Sequence, residues 1–115
     1  MAEKQCDLLK NGGGNWTYLG SITSNAGTLQ IPSTAKEVNI KVLLYAPTQQ
    51  SLIFSIIKKS YQDNGLRIRD GYYVSAAMSC FAEVDVSSLG VISVGSNGII
   101  LNGNAITPNI YVWYR

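Results

Sequence analysis

Residues 109–115 read Asn-Ile-Tyr-Val-Trp-Tyr-Arg, and this stretch decides the fold class that we expect. From Ile110 to Tyr114 every side chain is β-branched or aromatic, a composition that packed β-strands favour. Because side chains alternate along a strand, one face carries Ile110, Val112 and Tyr114, and the other carries Tyr111 and Trp113. Neither face is polar. We therefore predict a strand at the centre of its sheet, with one face on the core and the other covered by a further part of the assembly.

The remainder of positions 15–115 consists of short strand-like segments, separated by turn residues about every ten positions. With the final strand they number eight or nine: 15–22, 28–32, 36–45, 51–57, 66–75, 76–86, 90–94, 98–101 and 110–114. Gly95-Ser96-Asn97 predicts a hairpin between two of them, and 102–104 and 107–109 are expected to be loops. No segment has a convincing helical pattern. We predict an all-β fold, an antiparallel β-sandwich of the jelly-roll-like kind.

The first 14 residues differ in character from the rest of the chain. They are polar and mixed, and they end in the run Gly12-Gly13-Gly14, which favours a flexible N-terminal arm or connector over residues 1–14. The expected domain then covers residues 15–115. No secretory signal is recognisable, and the longest apolar runs fall far short of the roughly 20 residues that cross a bilayer. We expect a soluble protein made in a bacterial cytoplasm, without membrane insertion.

The charge pattern argues against nucleic-acid binding. Charged residues make up only 14% of the chain, against about 25% in an average protein. The net charge is +2, and the nine basic residues are scattered along the sequence. No cluster is large enough to follow a phosphate backbone. Uncharged Tyr, Ser, Thr, Asn and Gly fill the polar surface instead, which suits recognition through hydrogen bonds.

The sequence offers few groups for catalysis or metal binding. It contains no histidine, which removes the commonest general base and the commonest metal ligand. The only cysteines, Cys6 and Cys80, lie far apart, and we expect two free thiols, with Cys80 buried as a small apolar side chain. No catalytic residue, metal or cofactor is therefore predicted.

One pair of carboxylates keeps an enzymatic alternative open. Glu83 and Asp85 are two positions apart on a predicted strand, so they share a face at roughly 6.5–7 Å. Glycosidases use two carboxylates at a comparable separation. The more ordinary interpretation is the solvated outer face of an alternating strand.

The aromatic residues are the most informative functional feature, because Tyr and Trp favour interfaces and sugar-stacking sites. Tyr72 and Tyr73 follow Asp70-Gly71, with polar neighbours on the same strand and in the turn before it. The ligand-binding residues that we predict are Tyr72, Tyr73, Asp70, Arg69 and Asn64. Those predicted for a subunit interface are Tyr111, Trp113 and Tyr45.

The order of these landmarks resembles a known kind of domain. Asn-Trp-Thr-Tyr-Leu-Gly-Ser at 15–21 is followed by Leu-Gln-Ile-Pro at 29–32, Lys-Glu-Val-Asn-Ile-Lys-Val at 36–42, Leu-Ile-Phe-Ser-Ile at 52–56, Asp-Gly-Tyr-Tyr at 70–73 and a final Tyr-Arg. The pattern over residues 15–115 is similar to the small C-terminal head domains of tail-fibre and baseplate proteins in phages and prophages of Gram-positive gut bacteria.

The resemblance implies a β-sandwich head, often trimeric, located in the virion tail. Its implied partners are copies of itself, other tail proteins and host cell-surface saccharide. Two alternatives remain at this stage. One is a purely structural virion or decoration protein without a ligand, and the other is a small carbohydrate-active enzyme that uses Glu83 and Asp85.

Overall fold

The computed structural model describes residues 15–45, 50–75 and 78–115, apart from the side chains of Tyr45, Gln50, Tyr72, Val74 and Met78. This part of the chain contains nine β-strands and one short 3-10 helix, Lys58–Ser60. The strands are β1 Thr17–Ile22, β2 Thr28–Gln30, β3 Glu37–Tyr45, β4 Gln50–Ile57, β5 Leu66–Ser75, β6 Met78–Val86, β7 Val91–Leu101, β8 Asn104–Ile106 and β9 Ile110–Tyr114. The predicted arm, residues 1–14, lies outside the described residues, as does Cys6.

The final strand occupies the centre of the first sheet, as the sequence predicts. The strand order in this sheet is β1-β9-β3-β4, and all neighbours are antiparallel. Val112 lies opposite Gly20 on one side and Ile40 on the other. The backbone after the strand is held as well, because the Arg115 N–H donates to the Glu37 carbonyl and the Arg115 carbonyl accepts from the Glu37 N–H.

The second sheet is built around β7. The order is β2-β7-β6-β5, and β8 pairs with the same edge of β7 as β2 does, but at its opposite end. The strands are again antiparallel, so the two sheets form the sandwich that the sequence predicts. β5 is an edge strand along its whole length. This position leaves its side chains accessible from the rim of the sheet.

The core lies between the two sheets and comes from every second residue of the long strands. Alternation explains its membership, because β-branched and aliphatic residues occupy the inward positions. The first sheet contributes Val38, Ile40, Val42, Phe54, Ile110 and Val112, and the second contributes Cys80, Ala82, Val84, Val86, Ile92 and Ile99. Cys80 is a free, buried thiol, as predicted.

The predicted hairpin at Gly95-Ser96-Asn97 is wrong, and one long strand replaces it. β7 runs through these residues and pairs with β6 on both sides of them. The register places Ala82 opposite Ile99 and Val84 opposite Val94, so residues 95–98 lie opposite the single residue Glu83. We call this four-residue segment, which has three residues more than its partner strand, the carboxylate bulge. Glycine and asparagine favour bulges for the same conformational reason that they favour turns, and Gly98 has a φ of 67°. The predicted loop at 102–104 is likewise wrong in part, because Asn104 begins β8.

Candidate functional site

The outer face of the second sheet carries a row of paired charges. The register of β5 and β6 sets Arg67 opposite Asp85 and Arg69 opposite Glu83. The Arg67 guanidinium donates to both oxygens of Asp85, at 2.8 and 3.0 Å. Arg69 donates through Nε to Glu83 Oε2 at 2.6 Å. Each guanidinium therefore has a carboxylate partner across the strand pair, an arrangement that stabilises the pairing of an edge strand.

Glu83 is enclosed although it points outward. Its side chain is 0% exposed because the carboxylate bulge covers it. A Cβ atom at Gly95 would collide with the Glu83 carboxylate, so only glycine allows the bulge to close over the side chain. The ordinary interpretation of Glu83 as part of a solvated outer face is therefore wrong.

The bulge and Arg69 together satisfy the Glu83 carboxylate. Besides Arg69, it accepts hydrogen bonds from the Asn97 backbone N–H at 3.2 Å, from the Asn97 side-chain amide at 3.2 Å and from the Ser96 hydroxyl at 3.4 Å. The hydrogen bond from Arg69 and then that from the Asn97 N–H lower the pKa of Glu83 to about 2, and they outweigh the opposing effect of burial.

These contacts bear on the enzymatic alternative. A glycosidase acid needs a protonated carboxyl group that reaches the glycosidic oxygen, which requires a raised pKa. Glu83 is ionised, enclosed and fully engaged in hydrogen bonds. Asp85 is held by Arg67. The geometry therefore does not favour this pair as general acid and base.

A groove lies beside the row of charges, at the Tyr73 end of β5. Its volume is about 480 Å³, and we call it the Tyr73 groove. Arg69, Asp70, Tyr73, Ser79, Phe81 and Ile100 are among its lining residues. Tyr73 is 76% exposed, which is unusual for a large aromatic residue. The groove is thus largely apolar, with Arg69 and Asp70 as the charged residues of its lining.

Gly71 allows the floor of this groove to exist. A Cβ atom at Gly71 would overlap the carbonyl oxygen of Cys80 and would lie 3.0 Å from the Phe81 Cα. The two strands approach so closely here that no side chain fits between them. This close approach exposes Phe81 to the groove, and the Asp70 side chain stabilises the local backbone by accepting the Gly71 N–H at 2.8 Å.

The structure brings together three of the five predicted ligand-binding residues. Arg69, Asp70 and Tyr73 line the same groove. Asn64 lines a different cavity of about 590 Å³, together with Arg67 and Asp85. That cavity lies near the start of β5. Arg67, one of its lining residues, is six positions before Tyr73 and therefore roughly 20 Å from it along the strand. The side chain of Tyr72 lies outside the described residues.

Sequence reasoning missed Phe81 and Ile100 as lining residues and Asn97 as a ligand of Glu83. Strand alternation carried a signal for Phe81, because it lies two positions before Glu83 on the same face. Ile100 faces Phe81 across the strand pair. Asn97 carried no such signal, since its role depends on the carboxylate bulge.

The outer face of the first sheet carries a cluster of aromatic side chains. The ring centroids of Tyr18 and Trp113 lie 5.3 Å apart, and those of Tyr111 and Trp113 lie 6.4 Å apart. We call these three residues the aromatic face. At its end, the Arg115 guanidinium lies 4.4 Å from the centroid of the Trp16 ring. A cation over an indole is an attractive contact, so it holds the start of β1 against the end of β9.

The predicted interface residues differ in how much surface they leave for a partner. Trp113 is only 2% exposed in the single chain, so a neighbouring subunit would have little of it left to cover. Its indole Nε1–H is buried without a hydrogen-bond acceptor. Tyr111 is partly exposed. The side chain of Tyr45 is not among those described.

More accessible apolar surface lies elsewhere on the same side of the first sheet. Tyr18 is 40% exposed, and on β4 Ile53 and Ile57 are 49% and 51% exposed. Lys41 lies between Tyr111 and Ile53 in the register, and partial burial lowers the pKa of its ammonium group. This side of the sandwich therefore combines accessible apolar side chains with a partly desolvated cation, and the Glu37–Arg115 ion pair lies at its end.

Neither a metal centre nor a membrane-spanning helix emerges from the geometry. Within residues 15–45, 50–75 and 78–115, no three His, Cys, Asp or Glu side chains come together as a metal site would require. In the same ranges, no helix has the length and apolarity to cross a membrane. Comparisons with protein-family models, with curated proteins and with solved structures gave no match.

Proposed function

We propose that this chain is a binding head of the phage-tail type, which contacts host cell-surface saccharide through the Tyr73 groove. The observation that carries the proposal is the 76% exposed residue Tyr73 beside Arg69 and Asp70 in one groove. A sugar presents an apolar face of C–H groups and a rim of hydroxyl groups. An exposed aromatic ring with neighbouring hydrogen-bonding groups is complementary to both.

The sequence resemblance to tail-fibre and baseplate heads supports the same proposal by analogy. The antiparallel sandwich is the fold that the resemblance implies. In this proposal the protein resides in the virion tail, binds other tail proteins and acts without catalysis, cofactor or metal.

We propose further that copies of the chain associate through the side of the first sheet that carries the aromatic face, as a trimer. The support is the accessible apolar surface of Tyr18, Ile53 and Ile57. Exposed apolar residues gathered on one side of a domain are typical of an interaction surface. Tyr111, Trp113 and Tyr45 remain the predicted interface residues, with Trp113 supporting the surface from beneath.

The saccharide proposal is tested by binding of the purified chain to cell-wall polysaccharides and to a glycan array. The wild-type chain and Tyr73→Phe should bind, because both retain the aromatic ring. Tyr73→Ala should lose binding while its circular dichroism spectrum stays unchanged. Equal binding by all three variants would show that the ligand lies elsewhere, and no binding by any of them would favour the second candidate.

The second candidate is a purely structural virion protein without a ligand, and the apolar side of the first sheet favours it. Light scattering coupled to size exclusion measures the mass of the assembly and so tests whether this side of the sheet holds the subunits together. Ile53→Asp with Ile57→Asp should convert the assembly to a monomer, because charges would be desolvated at the interface. Leu89→Asp is the control, since Leu89 is exposed but lies outside the strands. A monomeric wild-type chain would contradict the proposed assembly.

A further inference from the structure

We infer that the Tyr73 groove selects an uncharged saccharide, whose hydroxyl groups accept hydrogen bonds from Arg69, and that Glu83 positions Arg69 for this contact. The inference deepens the proposed function and rests on it. It adds the chemical class of the ligand and assigns a role to a buried carboxylate that does not itself reach the groove.

The charge around the groove is balanced. Asp70 lies opposite the core residue Ala82, so its side chain leaves the strand on the other face and Arg69 is the charged side chain that the described lining residues present to the groove. Glu83 places a negative charge directly behind Arg69, with Nε and Oε2 at 2.6 Å. Arg67 brings no excess of positive charge, because Asp85 pairs with it. A phosphate or carboxylate on a ligand would therefore meet a cation that is already compensated, and its desolvation would not be offset.

Arg69 keeps hydrogen-bond donors for a ligand. It uses Nε for Glu83, and its two terminal nitrogens make no further hydrogen bond in the described part of the chain. A sugar hydroxyl group can accept from these nitrogens without bringing a charge into the groove.

A cationic ligand is disfavoured as well. An amine would be repelled by Arg69, and the carboxylate behind it, Glu83, is already paired. The apolar lining from Phe81 and Ile100 and the exposed Tyr73 residue instead suit the C–H face of a sugar ring. An uncharged saccharide matches both the balanced charge and the apolar lining.

Glu83 contributes to the site because a guanidinium recognises hydroxyl groups well only when its plane is held in one orientation. Arg69 is 55% exposed, so few contacts other than Glu83 restrain it. Glu83 itself cannot move, because Asn97 and Ser96 hold it inside the carboxylate bulge. The rigid carboxylate thus orients the fork of Arg69 towards the groove. Glu83 is a positioning residue and does not contact the ligand.

Titration calorimetry of the full chain tests the ligand class. The probes are maltohexaose and mannohexaose as uncharged sugars, oligogalacturonate and glycerol-phosphate teichoic acid as anionic ones, and chitosan hexaose as a cationic one, each at about 1 mM. Binding restricted to uncharged probes, and equal at low and high salt, is the expected result. Arg69→Ala should weaken it on the order of tenfold, in line with the loss of a charged hydrogen bond.

The outcomes separate the two proposals. Binding only of anionic or only of cationic probes that Tyr73→Ala abolishes would overturn the uncharged class and leave the saccharide function standing. No binding of any probe by the wild-type chain, with intact Tyr73 and a folded spectrum, would overturn both.

A double-mutant cycle tests the positioning role of Glu83. Glu83→Gln should weaken binding of the uncharged probe about tenfold in the wild-type background and leave it nearly unchanged in an Arg69→Ala background. Equal losses in both backgrounds would mean that Glu83 acts through the fold in general, which would overturn the positioning role. Urea denaturation of all four chains confirms that the comparison uses folded protein.

Discussion

Each sheet buries a large side chain on its outward face, Trp113 in the first and Glu83 in the second, and the two are buried by different means. Trp113 of the first sheet is 2% exposed beside the rings of Tyr18 and Tyr111, and its indole N–H has no acceptor. Glu83 of the second sheet is 0% exposed inside the carboxylate bulge. The burial of Trp113 is stabilised by apolar contact area, which has no preferred direction. The burial of Glu83 requires hydrogen-bond donors at defined points around its carboxylate.

The comparison shows why an outward position in a strand does not imply contact with solvent. Side-chain rings can cover an outward residue without any change in the backbone. A buried carboxylate needs the backbone itself to bend over it, because an ion that loses its water must gain hydrogen bonds in return. The pairing of β1 shifts by the single residue Leu19 beside Trp113, whereas four residues of β7 lie opposite Glu83.

Removing the final strand should have the largest destabilising effect on the chain. Deletion of residues 109–115 takes away the partner of both β1 and β3, and it opens the core at Ile110 and Val112. We expect the truncated chain to lose cooperative thermal unfolding and the dispersed amide signals of a folded protein. Deletion of Arg115 alone is the control and should leave a folded chain. A truncated chain that melts cooperatively near the wild-type temperature would contradict the central role of β9.

Substitution of Trp113 should have the next largest effect. Trp113→Ala removes a fully buried aromatic side chain and should lower the free energy of unfolding by about 3–5 kcal/mol. Trp113→Phe should cost clearly less, because it retains a ring and also removes an N–H that has no acceptor. Urea denaturation of the three chains measures both values. If Phe proved as costly as Ala, the indole N–H would have to make a hydrogen bond in solution.

The sequence predicts the first sheet better than the second, for a physical reason. Alternation in 36–45 and 109–115 reports directly on which face is buried, and the structure confirms both strands. The residues Gly95 to Gly98 permit a turn or a bulge equally well. Only the contact with Glu83, which is distant in sequence, decides between the two.

The candidate site shows the same limit. Arg69, Asp70 and Tyr73 are close in the sequence, so one edge strand is enough to bring them to one groove. Asn64 is also close in the sequence, but an extended strand carries it roughly 20 Å away from Tyr73. Phe81 and Ile100 reach the groove through strand pairing, which local patterns do not report.

Low pH should weaken the stabilising contribution of Glu83 and leave that of Trp113 unchanged, because only Glu83 is ionisable. The pKa of Glu83 falls from an ordinary 4.5 to about 2 in the folded chain, mainly through Arg69 and the Asn97 N–H. A lowered pKa stabilises the fold above the unfolded value, and this contribution is lost as the pH falls from about 4.5 to about 2. Glu83→Gln should therefore be less stable at neutral pH and show a flatter decline over this range. An unchanged acid dependence in Glu83→Gln would place the titration elsewhere.

The smallest effect is expected at the exposed end of the row of charges. Arg67 and Asp85 form a bidentate pair, but both remain accessible to water, so screening offsets most of their attraction. Arg67→Ala should move the urea midpoint very little. Arg69→Ala removes the strongest donor of an enclosed carboxylate and should move the midpoint clearly. The matched pair of arginines, two positions apart on the same face, thus separates a surface ion pair from one that compensates a buried charge. Equal shifts in the two variants would mean that water reaches Glu83 in solution, and the carboxylate bulge would then not be closed.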